Sequence, residues 1–144
     1  MHFFPTSPTF FSALKWAALA MSIALLGACA TTLSPDTPEE AVSQRAQERW
    51  NLLLKKDYEK AYAYLTPAQR AIVTSQGYSG KFGQGAEWVS ADVQSVACEN
   101  QERCNAIVEI KSNVVARGFS GPITTRATEV WVKDDGNWWF HQNL

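Results

Sequence analysis

Four glycines, Gly77, Gly80, Gly83 and Gly85, divide the chain into two stretches whose apolar residues recur with different periods. Ahead of them apolar side chains return every three or four residues, the spacing of one helix face. Beyond them they alternate, the spacing of a strand with one buried side. Helices first and strands after make an α+β domain, with the helices packed on one face of an antiparallel sheet. The glycines themselves read as a flexible connection.

The helix starts are marked. Thr37-Pro38-Glu39-Glu40 supplies a hydroxyl cap, a proline at the first helical position and a glutamate three residues after the cap. Val42, Ala46, Trp50, Leu53 and Leu54 then form an apolar stripe, with Gln44, Arg45, Gln47 and Glu48 mostly off it. Asp57 caps a short second helix carrying Tyr58, Ala61, Tyr62 and Leu65. Thr66-Pro67-Ala68-Gln69 opens a third, with Ala71, Ile72 and Val73. Strands are expected over 88–98, 104–116, 123–133 and 137–142. The last two are joined by Asp134-Asp135-Gly136, residues suited to the positive φ angles of a tight hairpin.

Residues 1–28 stand outside that domain. Lys15 precedes an apolar run from Trp16 to Ala28, shorter than the roughly 20 residues that cross a bilayer, so the segment reads as an export signal. The run ends in Leu25-Leu26-Gly27-Ala28-Cys29, which resembles the lipobox of bacterial lipoproteins: a Leu three places before the Cys, two small residues, then the Cys that takes lipid. The resemblance implies a thioether-linked diacylglycerol on Cys29 and a third, amide-linked chain on its new amino terminus. One acyl chain holds a protein only marginally, at about 0.8 kcal/mol per buried methylene, whereas two or three make attachment permanent. In that family an Asp after the Cys retains the protein at the inner membrane, so Ala30 points to the outer membrane, facing the periplasm. An ordinary signal peptide cut after Ala28 is the alternative. Residues 29–37 then form the lipidated N-terminus and a Thr-, Ser- and Pro-containing tether, and 38–144 the folded domain.

Export leaves Cys98 and Cys104 as a pair in an oxidising compartment. They flank Glu99-Asn100-Gln101-Glu102-Arg103, a polar hairpin turn with a Cys at each stem, where cross-strand neighbours come close enough for a disulfide. A zinc site fails on spacing and on ligand number, because His141 is the only histidine beyond the leader. The formal net charge is −1 and no run of Lys or Arg forms a stripe, so nucleic acid is not an expected partner. No cofactor is expected.

The string Trp50-x-x-Leu53-x-x-x-Asp57-Tyr58-x-x-Ala61-Tyr62-x-x-Leu65-x-Pro67-x-x-Arg70 resembles the opening of nuclear transport factor 2-like (cystatin-like, cone-shaped) domains. So does the ending, Glu129-Val130-Trp131-Val132, a Gly turn, then Trp138-Trp139-Phe140. The resemblance implies a curved sheet of about four strands that encloses a pocket with the helices. That pocket serves isomerases, dehydratases, small-molecule binders, secretion-system scaffolds and oligomer contacts alike, so the fold does not choose an activity.

Enzymes of that superfamily use an Asp or His as base and a Tyr or acid as oxyanion donor, on the inward face. Tyr58, Tyr62, Tyr64, Asp92, Glu109, Glu129 and His141 are the groups available, and none matches a catalytic set residue by residue. Catalytic and metal-ligating residues are therefore not assigned. If a pocket exists, Trp50, Tyr62, Glu129 and His141 are its candidate lining. Trp138 and Trp139 are consecutive and point to opposite faces of their strand, so one lies away from the helices, either covered or open to a partner. The expected function is a non-catalytic, lipid-anchored envelope module that binds another protein or a second copy of itself. The alternative is a small-molecule binder, or an enzyme of lyase or isomerase type, using the cone interior.

Overall fold

In a computed structural model that describes residues 37–82, 86–116 and 118–143, helix α1 (Pro38–Leu54) begins where the capping signature places it. The Thr37 side chain accepts the Glu40 N–H at 3.2 Å. Val42, Ala46, Trp50 and Leu53 are buried along one stripe, joined by Arg49. Residues 1–36, which include the leader, Cys29 and its tether, lie outside the described residues, as do Gly83 and Gly85.

Helix α2 (Tyr58–Tyr62) is capped by Asp57 and α3 (Pro67–Ile72) by Thr66, as expected. Leu65 is not part of α2. It leaves the helix to form an isolated parallel bridge with Phe140, because the 64–66 backbone is drawn into the sheet edge. Val73 ends α3 in extended conformation, so the third helix stops short of it. Gly77 and Gly80 belong to no flexible connection: Thr74 accepts the Gly77 N–H at 3.1 Å and caps a further helix, α4 (Ser75–Ser79). Its Tyr78 is fully buried.

The four strands are β1 (Ala86–Asn100), β2 (Arg103–Ala116), β3 (Phe119–Asp134) and β4 (Asn137–His141), antiparallel in the order β1-β2-β3-β4. Helices on a four-stranded antiparallel sheet make this an α+β domain, as the change of period requires. Strand β1 runs to Asn100, which narrows the hairpin turn to Gln101-Glu102, and β3 starts at Phe119 rather than at position 123. Three register shifts along β1 are points where a strand bends. Cys98 lies directly opposite Cys104 and the two are disulfide-bonded. At the β3–β4 turn, Asp135 and Gly136 have φ of 48° and 75°, the left-handed pair that a tight hairpin needs.

Along β2 the alternation is clean. Cys104, Ala106, Val108, Ile110 and Ser112 are buried against the helices, and Arg103, Ile107, Lys111 and Asn113 are exposed on the other face. Trp131 and Phe140 pair across β3 and β4 on the inner face and complete the core. Each such side chain contributes about 1.5–3 kcal/mol through burial.

Side chains close both ends of the sheet. From α1, the Gln47 Nε2 donates to the Ala91 carbonyl at 2.8 Å while its Oε1 accepts the Val93 N–H at 3.0 Å, so one amide stands in for a neighbouring strand. At β4, Phe140 N–H donates to the Tyr64 carbonyl and Thr66 N–H to the Phe140 carbonyl. Gln69 from α3 then holds both the N–H and the carbonyl of Gln142, and Arg45 Nε donates to the Trp138 carbonyl at 2.7 Å.

Candidate functional site

Glu129 sits on the inner face of β3 with 4 % of its surface exposed. Its Oε1 accepts from Arg49 at 2.6 Å and from the Trp50 indole at 2.8 Å; its Oε2 accepts from the Trp131 indole at 3.2 Å. Arg49 donates its other terminal nitrogen to the Tyr78 hydroxyl at 3.0 Å and lies 3.9 Å from the Phe140 ring centre. Burial pushes the Glu129 carboxyl above its ordinary value, against the pull of the Arg49 guanidinium and the two indoles. Burial also pushes the Tyr78 phenol up. Of the candidate lining, Trp50 and Glu129 thus meet directly. They meet as a buried, hydrogen-bonded cluster.

The other two candidates are elsewhere. The Tyr62 hydroxyl donates to the Arg70 and Val73 carbonyls, where it ties down the end of α3. His141 pairs with Val130, one residue out of phase with Glu129, and therefore faces the opposite side of the sheet. Tyr58 stacks on Phe82 at 5.3 Å, Asp92 is exposed, and Glu109 meets Arg126 across β2 and β3 at 3.5 Å on the outer face. A general base must present an oxygen to the proton that it removes. Glu129 presents its oxygens to donors of its own chain.

Trp138 and Trp139 do point to opposite faces, with unequal fates. Trp138 is 4 % exposed, packed into the core with the exposed Lys133 near its ring, and it borders a shallow cleft with Thr37, Pro38 and Ala41. Trp139 is half-buried on the outer side, its indole N–H fixed on the Asp134 carbonyl at 3.2 Å. Two guanidiniums cover it: Arg70 at 5.0 Å and Arg45 at 5.7 Å from the ring centre. Arg45 also lies 4.8 Å over Tyr64, whose hydroxyl donates to Glu48 at 2.9 Å.

Arg49, Arg45, Arg70 and Tyr78 are the residues that the sequence reading passed over. A signal existed for the first: position 49 falls between Ala46 and Leu53 on the apolar stripe, three after one and four before the other. A charge there requires a buried counter-charge on the facing sheet, and Glu129 shares its strand face with Trp131. Arg45 and Arg70 carried no comparable mark.

Shallow clefts line the described surface away from Glu129. Two adjoin at the hairpin-turn end, sharing Gln101, Lys133 and Gly136, and another runs along α1 beside Val93.

No family model matches the chain, and no curated protein is significantly similar to it. Solved structures match in fold. A SEC-C motif containing protein from Rhodopseudomonas palustris aligns at 14 % identity over 74 % of this chain and 76 % of its own, with a TM-score of 0.55. The CamKII hub homology domain of Chlamydomonas reinhardtii aligns at 17 % identity over 70 % and 92 %, with a TM-score of 0.47. A protein named as a polyketide cyclase from Xanthomonas campestris pv. campestris aligns at 10 % over 73 % and 92 %, with a TM-score of 0.46. At these identities the likeness concerns the fold alone.

Proposed function

We propose that this chain is an exported, lipid-anchored domain of nuclear transport factor 2-like architecture that serves the bacterial envelope by binding, not by catalysis. The observation that carries the reading is Glu129. A pocket enzyme of this shape needs an inward acid or base with a free face, and the inward carboxylate here is spent on Arg49, Trp50 and Trp131. The Cys98–Cys104 bond supports an oxidising compartment, where such pairs persist. The lipobox supports anchoring at Cys29, with Ala30 favouring the outer membrane. The partner on this reading is another envelope protein or a second copy of the chain.

Metabolic labelling with a palmitate analogue in a Gram-negative host tests the anchor. The wild-type chain should carry label and fractionate with membranes, and Cys29→Ser should lose both. Label retained by Cys29→Ser, or a soluble wild-type chain, would refute it. Native mass spectrometry from mild detergent then tests the mode of action. A retained protein partner or homodimer supports a binding module; a retained small organic molecule instead supports the cone interior as the site.

A further inference from the structure

We propose that Arg45, Arg70 and Trp139 form a binding site for a phosphate group at the β4 edge of the sheet. The proposal uses only residues of the folded domain and stands independently of the anchor.

Charge pairing separates these arginines from the rest. Among the described residues, Arg49 pairs with Glu129, Arg103 with Glu99 and Arg126 with Glu109. Arg45 and Arg70 have no carboxylate within ion-pair distance among the described residues, yet both lie on one indole ring, at 5.7 and 5.0 Å. Two like charges against one ring repel, and cation–π contact with Trp139 and Tyr64 opposes that repulsion. The nearest acid named in this cluster, Glu48, accepts from the Tyr64 hydroxyl. An anion carrying up to two charges is the missing counterpart.

The donors are also held in place before any ligand arrives. Arg45 Nε is fixed on the Trp138 carbonyl, which leaves its two terminal NH2 groups for a ligand. The Tyr62 hydroxyl fixes the Arg70 backbone through its carbonyl, the Arg70 guanidinium rests on the Trp139 ring, and its Nε is buried with no hydrogen-bond partner. A buried unpartnered N–H is costly; the Nε of Arg49 is another, but its guanidinium is already neutralised by Glu129, whereas that of Arg70 has no carboxylate among the described residues. Guanidinium forks match phosphate oxygens in pairs, and a tetrahedral phosphate can meet two forks that do not share a plane. The phosphate could reach the site free in solution or as a lipid headgroup.

The test is a titration of the full-length chain in neutral detergent with inorganic phosphate at constant ionic strength, chloride making up the balance. The Trp139 indole N–H resonance, identified by its loss in Trp139→Phe, is the readout. Wild-type protein should show a saturable shift. Arg70→Gln and Arg45→Gln should each weaken binding by about tenfold or more, the scale of one charge-assisted hydrogen bond. Arg70→Lys, which keeps the charge and loses the fork, should fall between. The other indole resonances report that each variant is folded. Should Arg45→Gln disturb β4 through the lost Trp138 bond, Arg70→Gln decides alone. A shift that never saturates, or equal binding by wild type and Arg70→Gln, would overturn the proposal. Nanodiscs containing phosphatidylglycerol separate the sources: competition with inorganic phosphate at Trp139 assigns a headgroup, and its absence a soluble phosphate.

Discussion

Arg45 and Arg49 stand one turn apart on α1, and their guanidiniums end in opposite kinds of surroundings. Arg49 goes inward, where a carboxylate and a phenol accept from its two terminal nitrogens and the Phe140 ring lies beside it. Arg45 goes to the sheet edge and, with Arg70, rests on aromatic rings with no carboxylate partner among the described residues. The inner charge is neutralised within its own chain, although its Nε has no hydrogen-bond partner, and such a buried pair holds a fold together without being available to anything else. The outer charges are incomplete, and incompleteness at a half-buried, fixed position is what a binding surface offers. On the phosphate-site proposal, the polar residues of the interior and those of the edge divide structure and recognition between them.

The contrast can be broken most forcefully at Glu129. Glu129→Ala leaves Arg49 as an unpaired buried charge, a loss of about 3–5 kcal/mol, and strands two indole N–H groups as well. On a total stability of roughly 5–15 kcal/mol, this variant should melt far below wild type or fail to fold. Glu129→Gln keeps an acceptor and should lose less. By contrast, Arg70→Gln at the edge should change the urea midpoint by no more than about 0.5 kcal/mol equivalent. A mild Glu129→Ala, or a severe Arg70→Gln, would erase the distinction.

The adjacent tryptophans give the next largest test. Trp138→Ala opens the core and should cost about 3–5 kcal/mol, whereas Trp139→Ala should stay folded and lose phosphate binding. Equal melting temperatures for the two variants would contradict their different burial.

The smallest effect concerns Tyr78. Tyr78→Phe removes one acceptor from Arg49 and should cost about 1 kcal/mol at neutral pH. Burial raises the folded-state pKa of Tyr78 above its unfolded value of 10.0, so its contribution is complete below that value. It is lost as pH rises through the raised folded value. The stability gap between wild type and Tyr78→Phe should therefore close at strongly alkaline pH, as read by urea denaturation. A gap that widens there would mean that the phenolate, not the phenol, is the favoured partner of Arg49.

Much of the fold was legible because its signals are local. Thr37, Asp57 and Thr66 act within three residues of themselves, Asp135-Gly136 sets a hairpin by its own φ angles, and Cys98 and Cys104 mark their register through proximity along the chain. Tyr78 was missed because glycines on either side suggested a loop, and a cap at Thr74 outweighed them. The site was less legible for a related reason. The partners of Arg49 and Arg45 lie 80 and 93 positions away, and no local pattern says which of two neighbouring arginines will turn inward. His141 was grouped with Glu129 although their strand parities differ across the turn, an error that only the β3–β4 register exposes.

Gln47 and Gln69 act on the sheet as chain terminators act on a growing polymer. Each presents an amide where a further strand would begin to pair, and an amide in a side chain has no successor to pass the ladder onward. Wherever copies of the chain meet, this distinction separates a suspension of discrete domains from a nucleus for fibres. Gln47→Leu would remove a terminator without adding a charge or opening the core, and would leave the Ala91–Val93 stretch of β1 available for elongation.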